Sequence, residues 1–374
     1  MVRKQKSAMV LKQRERARAR DEKISGERSV DRDPKELGRE TPEGDGDTTS
    51  SEDEKPDQVF RLNTSLSQTT AKSGRHEKSE PSIPLLDKEH GHLWELRPSP
   101  GKGIGMFARK KIARGTRLLA DECLVHLPEP NPLLIDIERA FDRLRPNQQA
   151  AYTELHCPDH PGLSPIVRIW EANCFRMGKG GGIFLTASRI NHSCTPNAYF
   201  AWNVNIQRET VHAIVDIQPN EEICINYSYS HSDVYSRQQK LKAYGFDCDC
   251  APCLQNTELG RRSEARRCRM GELYGLIKDV QDDVRNILAR HWREDELKAR
   301  LELVGLLEKE QLFQLELRNQ YHCVAMCYEN RHDKPRSLEY AKKAAQTALL
   351  CLGPDSEIYE GDRKWIQELN MAQE

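Results

Sequence analysis

The sequence is poor in apolar and aromatic residues and rich in charge. Hydrophobic residues make up 37% of its 374 positions and aromatic residues 6%, whereas charged residues make up 31%. The shortage is greatest before residue 84, where Phe60 is the one aromatic side chain. A segment of this composition buries too little apolar surface to offset the entropy lost when a chain becomes ordered. We therefore expect residues 1–84 to form a disordered, charged N-terminal arm.

Long apolar runs and export signals are also absent. No stretch of about 18 consecutive apolar residues occurs, so the sequence predicts no transmembrane helix and no membrane partner. The basic N-terminus lacks the apolar core that follows the positive charges of a signal peptide. We therefore expect the twelve cysteines to lie in a reducing compartment, the nucleus or the cytoplasm, as thiols and metal ligands rather than disulfides.

The chain also lacks an excess of charge of either sign. It carries 57 Lys and Arg residues against 58 Asp and Glu residues. Because this balance produces no overall basic field, direct nucleic-acid binding is not expected outside the basic stretch that ends at Arg20. Two interpretations of that stretch remain open. It serves nuclear import or nucleic-acid binding, or it is a solvated charged arm.

The stretch from residue 187 to residue 202, ASRINHSCTPNAYFAW, combines functional groups that loops and plain strands rarely bring together. Ser188, Asn191 and His192 supply hydrogen-bonding side chains, and Cys194 supplies a thiolate ligand. Taken alone, the stretch fits a functional site and an ordinary strand-turn-strand unit equally well. The sequence contains no P-loop, no G-x-G-x-x-G stretch and no Ser-His-Asp arrangement that would indicate a different chemistry.

Short segments separated by turn residues predict a β-rich domain without helical crossovers. A glycine-rich turn at 101–105 precedes the first such strand, and the glycine cluster at 178–182 predicts a flexible loop that enters a strand at 183–185. The other predicted strands lie at 116–119, 199–202, 211–216 and 222–227.

Helical spacing of apolar residues appears in two places. The first is an insert at about residues 129–170, which interrupts the strands. The second follows Cys253, where residues 262–374 predict a helical domain. One helix hairpin in this domain, at 317–352, resembles a single tetratricopeptide (TPR) unit. A repeated period of about 34 residues, which a TPR array would show, is not seen.

Three clustered cysteines give the most specific metal signal. Cys248, Cys250 and Cys253 form a C-x-C-x2-C pattern, which supplies three of the four ligands of a tetrahedral structural zinc. We choose Cys194 as the candidate for the fourth ligand. The alternative is a loop that carries three free thiols.

Four motifs, in this order, make the chain resemble the SET-domain protein lysine methyltransferases. They are GKGIGMFA at 101–108, NHSC at 191–194, EEICINY at 221–227 and YGFDCDCAPC at 244–253. The resemblance is closest to the SET and MYND branch of the family. It implies an α+β fold, with a β-rich, pseudoknotted SET domain, a post-SET zinc site that Cys194 closes, and a C-terminal TPR-like helical domain.

A MYND zinc finger is not expected, although this branch often carries one at the position of the insert. The region offers too few Cys and His ligands for such a finger. They are Cys123, His126, His156, Cys157 and His160. The HCPDH run at 156–160 is more typical of a loop with scattered histidines than of a metal site.

The resemblance implies S-adenosylmethionine as the methyl donor and a protein lysine as the acceptor. Tyr227 is the implied catalytic residue, whose hydroxyl orients the lysine amine. Phe175 and Tyr244 are implied to line the lysine channel, although a core position suits Phe175 equally well. The implied cofactor-binding residues are Lys102, Gly103, Ile104, Gly105, Asn173, Ser188, Asn191, His192 and Phe246.

These observations predict a domain order and a function. The arm at 1–84 is followed by a SET domain at 93–230, a post-SET zinc segment at 231–256 and the helical domain at 262–374. The predicted function is methyl transfer to a lysine of a histone or another protein. The alternative is a non-catalytic SET-like scaffold with a structural zinc, which binds partner peptides through its helical domain.

Overall fold

The computed structural model describes residues 90–228, 231–282 and 294–371. The arm predicted at residues 1–84 lies outside these ranges. Within them the chain forms three β-sheets and a series of helices, most of which follow the sheets in the sequence. The α+β class and the helical C-terminal part are therefore confirmed.

The elements of the described residues are numbered in chain order. The strands are β1 (Trp94–Ser99), β2 (Gly103–Ala108), β3 (Arg117–Asp121), β4 (Val125–Leu127), β5 (Phe175–Met177), β6 (Gly180–Ile183), β7 (Asn191–His192), β8 (Ala198–Asn203), β9 (Arg208–Ala213) and β10 (Glu222–Ile225). The helices are α1 (Leu134–Asp142), α2 (Pro146–Thr153), α3 (Pro165–Asn173), α4 (Val234–Leu241), α5 (Glu258–Asp282), α6 (Glu294–Lys309), α7 (Leu315–Glu329), α8 (Lys334–Leu352) and α9 (Glu357–Met371).

The strand order places two of the sequence motifs side by side. One sheet has the order β1-β2-β10-β7, in which β10 runs antiparallel to β2 and parallel to β7. In the parallel pair, Cys224 lies opposite Asn191 and Ile225 lies opposite His192. The other two sheets have the orders β3-β9-β8 and β4-β6-β5. The NHSC motif and the strand before Tyr227 therefore meet in one sheet.

Large apolar side chains from several strands form the main core. Trp94 of β1 is fully buried, and its indole nitrogen donates a hydrogen bond to the Leu118 carbonyl of β3 at 2.7 Å. Met106, Phe200 and Ile223 pack in the same cluster. Burial of each such side chain stabilises the fold by about 1.5–3 kcal/mol. This core supports the strands that carry the motifs.

The glycine cluster does not form the predicted flexible loop. Residues Gly180–Ile183 are strand β6, which lies at the centre of its sheet between β4 and β5. A Cβ atom on Gly180 would lie 2.1 Å from the Leu127 carbonyl oxygen, and one on Gly182 would lie 2.4 Å from Met177 Sδ. Close packing within a sheet therefore requires glycine at these positions. The sequence alone does not distinguish this requirement from that of a flexible turn.

Helices α1 to α3 form a packed insert between β4 and β5, in the region where apolar spacing predicts helix. Helix α3 begins at a Ser164 N-cap, and Pro165 occupies its first turn, where the missing N–H costs no intrahelical bond. Tyr152 and Trp170 are buried in an apolar cluster of the insert itself. The insert therefore has a core of its own.

Helices α5 to α9 form the C-terminal part. The side chain of Asp333 caps α8, which packs along α7 through small buried residues such as Ala341 and Ala348. Helix α9 lies within the helical domain predicted at 262–374, although no individual helix was predicted beyond residue 352. Strand β9 also differs from expectation, since it begins at Arg208 and ends at Ala213. Across the described residues, no helix combines the length and apolar character that a membrane span requires.

The helical part packs against the sheet β3-β9-β8. Tyr199 and Ile214 share an apolar cluster with Leu352 at the end of α8. His212 of β9 lies beside this cluster and is 1% exposed. Arg117 Nε donates to His212 Nε2 at 3.2 Å. Burial, and next the charge of Arg117, lower the pKa of His212 to about 3, so its imidazole is neutral in the folded protein.

We predict that His212 makes the fold less stable in mild acid. Its pKa is about 3 in the folded protein and about 6.5 in an unfolded chain. The neutral imidazole therefore makes its full contribution to the free energy of unfolding above pH ~6.5, and this contribution is lost as the pH falls toward 3. Between pH 7 and pH 5 the free energy of unfolding should fall by about 2 kcal/mol from this group, as measured by urea denaturation.

The His212→Gln variant should lose this part of the pH dependence. The matched change His126→Gln, at an exposed position of β4, should keep it. The assignment is wrong if His212→Gln and the wild type show the same dependence of unfolding free energy on pH.

Candidate active site and metal centre

One cavity of about 400 Å³ lies where four segments of the chain meet. The glycine-rich turn, the insert, the NHSC motif and residues 244–246 each form part of its wall. The volume lies within the range of about 300–1,000 Å³ that is typical of small-molecule sites. Of the residues selected from the sequence, the cavity is lined by Lys102, Gly103, Ile104, Asn173, Ser188, Asn191, His192, Tyr227, Tyr244 and Phe246.

Gly105 lies behind the cavity wall rather than in it. A Cβ atom at this position would lie 2.4 Å from Glu222 Oε1 and 2.9 Å from Asn191 Nδ2. Asn191 Nδ2 itself donates to Glu222 Oε1 at 2.8 Å. Glycine at this position therefore lets the amide and the carboxylate lie directly against β2. Gly103, two residues earlier in β2, has a φ of 74°, a conformation that favours glycine.

Phe175 does not line the cavity. It is fully buried in β5 and makes edge-to-face contacts with Phe184 and Phe200, with ring centroids 5.7 Å and 5.4 Å apart. This position matches the core alternative and not the predicted channel. Tyr244, in contrast, lies at the cavity with its ring centroid 5.0 Å from that of Tyr227.

Glu222 belongs to the site, although it was not selected from the sequence. It accepts the hydrogen bond from Asn191, and its Oε2 lies 3.4 Å from Lys102 Nζ. Burial acts to lower the pKa of Lys102, but Glu222, Cys224 and Asp249 together outweigh it, and the pKa is raised. Lys102 is therefore a cation at the cavity. The sequence offered one signal for the role of Glu222, which is its place in the EEICINY motif. A glutamate in a strand is usually only a solvated charge, so this signal is weak.

Tyr227 is held at the cavity by both its backbone and its hydroxyl group. Its amide donates to His192 Nδ1 at 2.9 Å, and its hydroxyl donates to the carbonyl oxygen of Ile190. Burial, and next the neighbouring Cys224, raise the pKa of the Tyr227 phenol. The side chain is therefore a neutral phenol whose own proton is already engaged.

His192 connects the cavity with the cysteines. Because Nδ1 accepts a hydrogen bond from the Tyr227 amide, the neutral imidazole carries its proton on Nε2. Nε2 lies 3.3 Å from Cys194 Sγ, so this N–H faces the sulfur. One imidazole therefore couples the position of Tyr227 to that of Cys194.

The insert holds the far wall of the cavity in place. His156 Nε2 lies 2.8 Å from the carbonyl oxygen of Tyr244, and Asn173 Nδ2 donates to the His156 carbonyl at 2.8 Å. His156 was interpreted only as part of a loop. No sequence signal could have revealed its role, because the bond joins residues that are 88 positions apart.

The four predicted metal ligands form one cluster. The sulfur atoms of Cys194, Cys248, Cys250 and Cys253 all lie within 4.8 Å of one another. Cys194 Sγ is 3.6 Å from Cys253 Sγ and 4.0 Å from Cys248 Sγ. Four sulfurs bound to a tetrahedral zinc at 2.3 Å lie about 3.8 Å apart. The cluster therefore has the ligand type, number and spacing that a structural zinc requires.

The four thiols share their protons through mutual hydrogen bonds. These bonds raise the pKa of Cys194 and Cys248 and lower the pKa of Cys250 and Cys253. Gln238 of α4 fixes the backbone of Cys248, since its Nε2 donates to the carbonyl at 2.7 Å and its Oε1 accepts from the amide at 2.9 Å. Helix α4 thus contacts the segment that carries three of the ligands.

Comparison with known proteins agrees with the motifs. The SET-domain family matches residues 103–228, which extend from β2 past Tyr227. The histone-lysine N-methyltransferase set5 of Schizosaccharomyces pombe is 29% identical over 285 residues, which cover 74% of this chain and 84% of that protein. The protein-lysine N-trimethyltransferase SMYD5 of Danio rerio is 32% identical over 122 residues, which cover 31% of this chain and 29% of that protein. Residues 103–228 of this chain therefore form a SET domain, and the chain is similar to protein-lysine methyltransferases that carry one.

The match to the SET domain does not include the whole chain. The histone-lysine N-methyltransferase ASHR1 of Arabidopsis thaliana is 40% identical over 111 residues, but these cover 28% of this chain and 23% of that protein. The alignments with SMYD5 and ASHR1 therefore span less than a third of those relatives. The family match ends at residue 228, so three of the four clustered cysteines and the helices α4 to α9 lie beyond the SET domain match.

We predict that this SET-domain protein carries one zinc ion per chain. Cys250→Ser removes one of four thiolates, so the variant should lose zinc, and residues 244–246 should become more accessible to protease. Elemental analysis of freshly purified, reduced protein measures the zinc. Cys268→Ser, which changes an exposed cysteine outside the cluster, should keep the metal. A wild-type protein without zinc would contradict the prediction.

Proposed function

We propose that the chain transfers a methyl group from S-adenosylmethionine to a lysine of a protein substrate. The observation that carries the proposal is the single cavity on which the glycine-rich turn, Asn191, Phe246 and Tyr227 converge. A degenerate SET scaffold would not need a buried phenol beside the polar groups of such a cavity. The family of the chain supports the same reaction.

The residues at the cavity fit the groups of S-adenosylmethionine. Lys102 offers a cation for its carboxylate, and Phe246 offers an apolar face for its adenine ring. Asn191 offers its side-chain amide and Gly103 offers its backbone for hydrogen bonds to the cofactor, since both line the cavity. When bound, S-adenosylmethionine supplies a methyl group on a positively charged sulfur, and transfer of that group to an amine is an in-line displacement that depends mainly on positioning.

The acceptor lysine must be neutral before it can attack. A free lysine has a pKa of about 10.4. The aromatic side chains of Tyr227 and Tyr244 form an apolar surface that disfavours the ammonium form, which lowers the pKa of a lysine held between them. The Tyr227 hydroxyl donates to the Ile190 carbonyl, which fixes the direction of its oxygen, and in the proposal this oxygen accepts an N–H bond from the amine. That bond would orient the nitrogen lone pair.

The proposed substrate is a lysine of a histone or of another protein. The relatives set5 and ASHR1 are named as histone-lysine methyltransferases, and SMYD5 is named as a protein-lysine trimethyltransferase. We place the activity in the nucleus, the cytoplasm or both, where such lysines occur.

We extend the proposal to the parts of the chain around the SET match. A SET domain at 93–230, in which the NHSC and EEICINY segments cross as a pseudoknot, carries the insert. Residues 231–256 form a post-SET segment that zinc ties to Cys194, as the sulfur distances support. Residues 262–374 form a TPR-like helical domain that binds a partner peptide. The packing of α7 along α8 through buried alanines supports the TPR-like hairpin.

We predict that Tyr227→Phe slows methyl transfer about a hundred-fold, because it removes one well-placed transition-state hydrogen bond. The ring and its packing remain, so folding and binding of S-adenosylmethionine should change little. Transfer of labelled methyl groups to a lysine-containing protein mixture measures the rate, and calorimetry measures the binding.

Tyr152→Phe is the matched control for this variant. Tyr152 is also buried, and its hydroxyl donates to the Ile166 carbonyl at 2.8 Å, but it lies in the insert core away from the cavity. The Tyr152→Phe variant should transfer methyl groups at the wild-type rate. The enzyme proposal fails if the wild type does not bind the cofactor, which would favour the scaffold alternative. The role of Tyr227 alone fails if Tyr227→Phe is as fast as the wild type.

We also predict that Gly105→Ala weakens binding of S-adenosylmethionine about ten-fold or more. The new methyl group would displace the Glu222 carboxylate and, with it, the Asn191 amide, which lies in the cavity wall. Gly271→Ala lies in helix α5 with open space around it, so it should bind the cofactor normally and gain up to about 1 kcal/mol of stability. Equal cofactor affinity in the two variants would show that the Asn191 and Glu222 pair does not shape the site.

A further inference from the structure

Two buried arginines lie beside the cysteine cluster. The side chains of Arg237 in α4 and Arg267 in α5 are both 0% exposed. An arginine side chain remains charged in proteins. Burial of an unpaired charge costs several kcal/mol, so buried cations are found with anionic partners or bound groups. The partners of these two side chains therefore indicate what the region is built to hold.

Arg237 reaches the ligand segment directly. Its Nη2 lies 3.5 Å from Cys253 Sγ and 3.5 Å from the Pro252 carbonyl oxygen. The carboxylate on its other side, Glu264, is 3.7 Å away and also accepts the Val234 amide at 2.9 Å. The guanidinium group is thus placed between a shared carboxylate and a sulfur of the cluster.

Arg267 reaches the fourth ligand through its backbone. Its Nη2 donates to the Cys194 carbonyl at 3.1 Å. Its Nε donates to Ser263 at 3.1 Å and lies 3.3 Å from Glu310 Oε2. Glu310 is shared, because it also pairs with Arg266 and accepts a hydrogen bond from Ser263. Arg267 therefore joins α5, and through Glu310 the end of α6, to the NHSC motif.

The two positive charges match the charge that four cysteines acquire on binding zinc. Zinc binds cysteine as the thiolate, so a zinc with four thiolates carries a net charge of minus two. Four neutral thiols carry none. The two fully buried guanidinium groups therefore have their best anionic partner when the cluster holds the metal.

We infer that Arg237 and Arg267 are positioning residues of the zinc centre, and that through them zinc fastens helix α5 to the NHSC motif. The inference rests on the proposed zinc and not on the proposed methyl transfer. It gives the metal a role beyond ordering the segment that carries three of its ligands. Loss of zinc would remove the negative charge of the metal centre from beside two buried cations, and the contact between α5 and the SET domain would loosen.

Zinc release from the full chain tests the arginines. Transfer of zinc to a chromophoric chelator is followed in the wild type and in Arg237→Met and Arg267→Met. Residues that support metal ligands typically change metal affinity 10–100-fold, so we expect both variants to bind zinc at least 10-fold more weakly. Arg267→Lys keeps the charge and should retain more zinc than Arg267→Met.

Arg300→Met is the matched control. Arg300 is also a buried arginine of the helical part, but its partners are Glu296 at 2.6 Å and Gln320 at 2.9 Å. This variant should be less stable to urea yet release zinc at the wild-type rate. Zinc affinity that is unchanged in Arg237→Met and Arg267→Met, or lowered equally in Arg300→Met, would overturn the inference.

Hydrogen exchange of the wild type tests the fastening without any variant. Removal of zinc should increase exchange at residues 258–278 of α5 and at 191–198, and much less in α7 and α8. Equal protection of α5 in the zinc-loaded and zinc-free protein would overturn the inference while leaving the zinc proposal intact. If the wild type contains no zinc, the zinc proposal fails and the inference fails with it, whereas methyl transfer is tested separately.

Discussion

The parallel pairing of β7 with β10 is the constraint on which the rest of the site depends. It is short, with Asn191 opposite Cys224 and His192 opposite Ile225, and the Ser193 amide extends it by donating to the Ile225 carbonyl at 3.1 Å. Neighbouring residues of this strand pair have different roles. Asn191 bonds Glu222 at the cavity, whereas His192 bonds the Tyr227 amide and faces a cysteine sulfur. Without the pairing, the cavity wall, the phenol and the fourth thiol would separate.

The cavity is completed by elements that carry no chemistry of their own. The insert has its own apolar core, and from that base His156 bonds the Tyr244 carbonyl. Strand β6 consists largely of glycine because the neighbouring backbone and side chains leave no room for a Cβ atom. Rigid supports of this kind matter for a reaction that depends on positioning, since a small displacement of the reacting groups costs a large part of the rate.

The helical part is tied to the SET domain in two unlike ways. One contact is apolar, between β8, β9 and the end of α8. The other is electrostatic, through Arg267 and the Cys194 carbonyl. An apolar contact depends little on the state of the metal centre, whereas a buried charge depends on its partners. In the proposed zinc-bound state, the metal would therefore influence how α5 is held while α8 remains packed.

The sequence by itself determined the chemistry that is local. Motif order identified the SET domain, cysteine spacing selected three of the four clustered sulfurs, and the resemblance implied Cys194 as the fourth. The glycine-rich turn, NHSC and Tyr227 were predicted to share one site, and they line one cavity. Only the tertiary structure decided that Phe175 is a core residue, that the glycine cluster is a central strand, and that Glu222, His156 and Arg237 serve the site. The physical reason is the same in each case. Burial and hydrogen-bond partners are set by residues far apart in the chain, and a pattern of neighbours in sequence does not contain them.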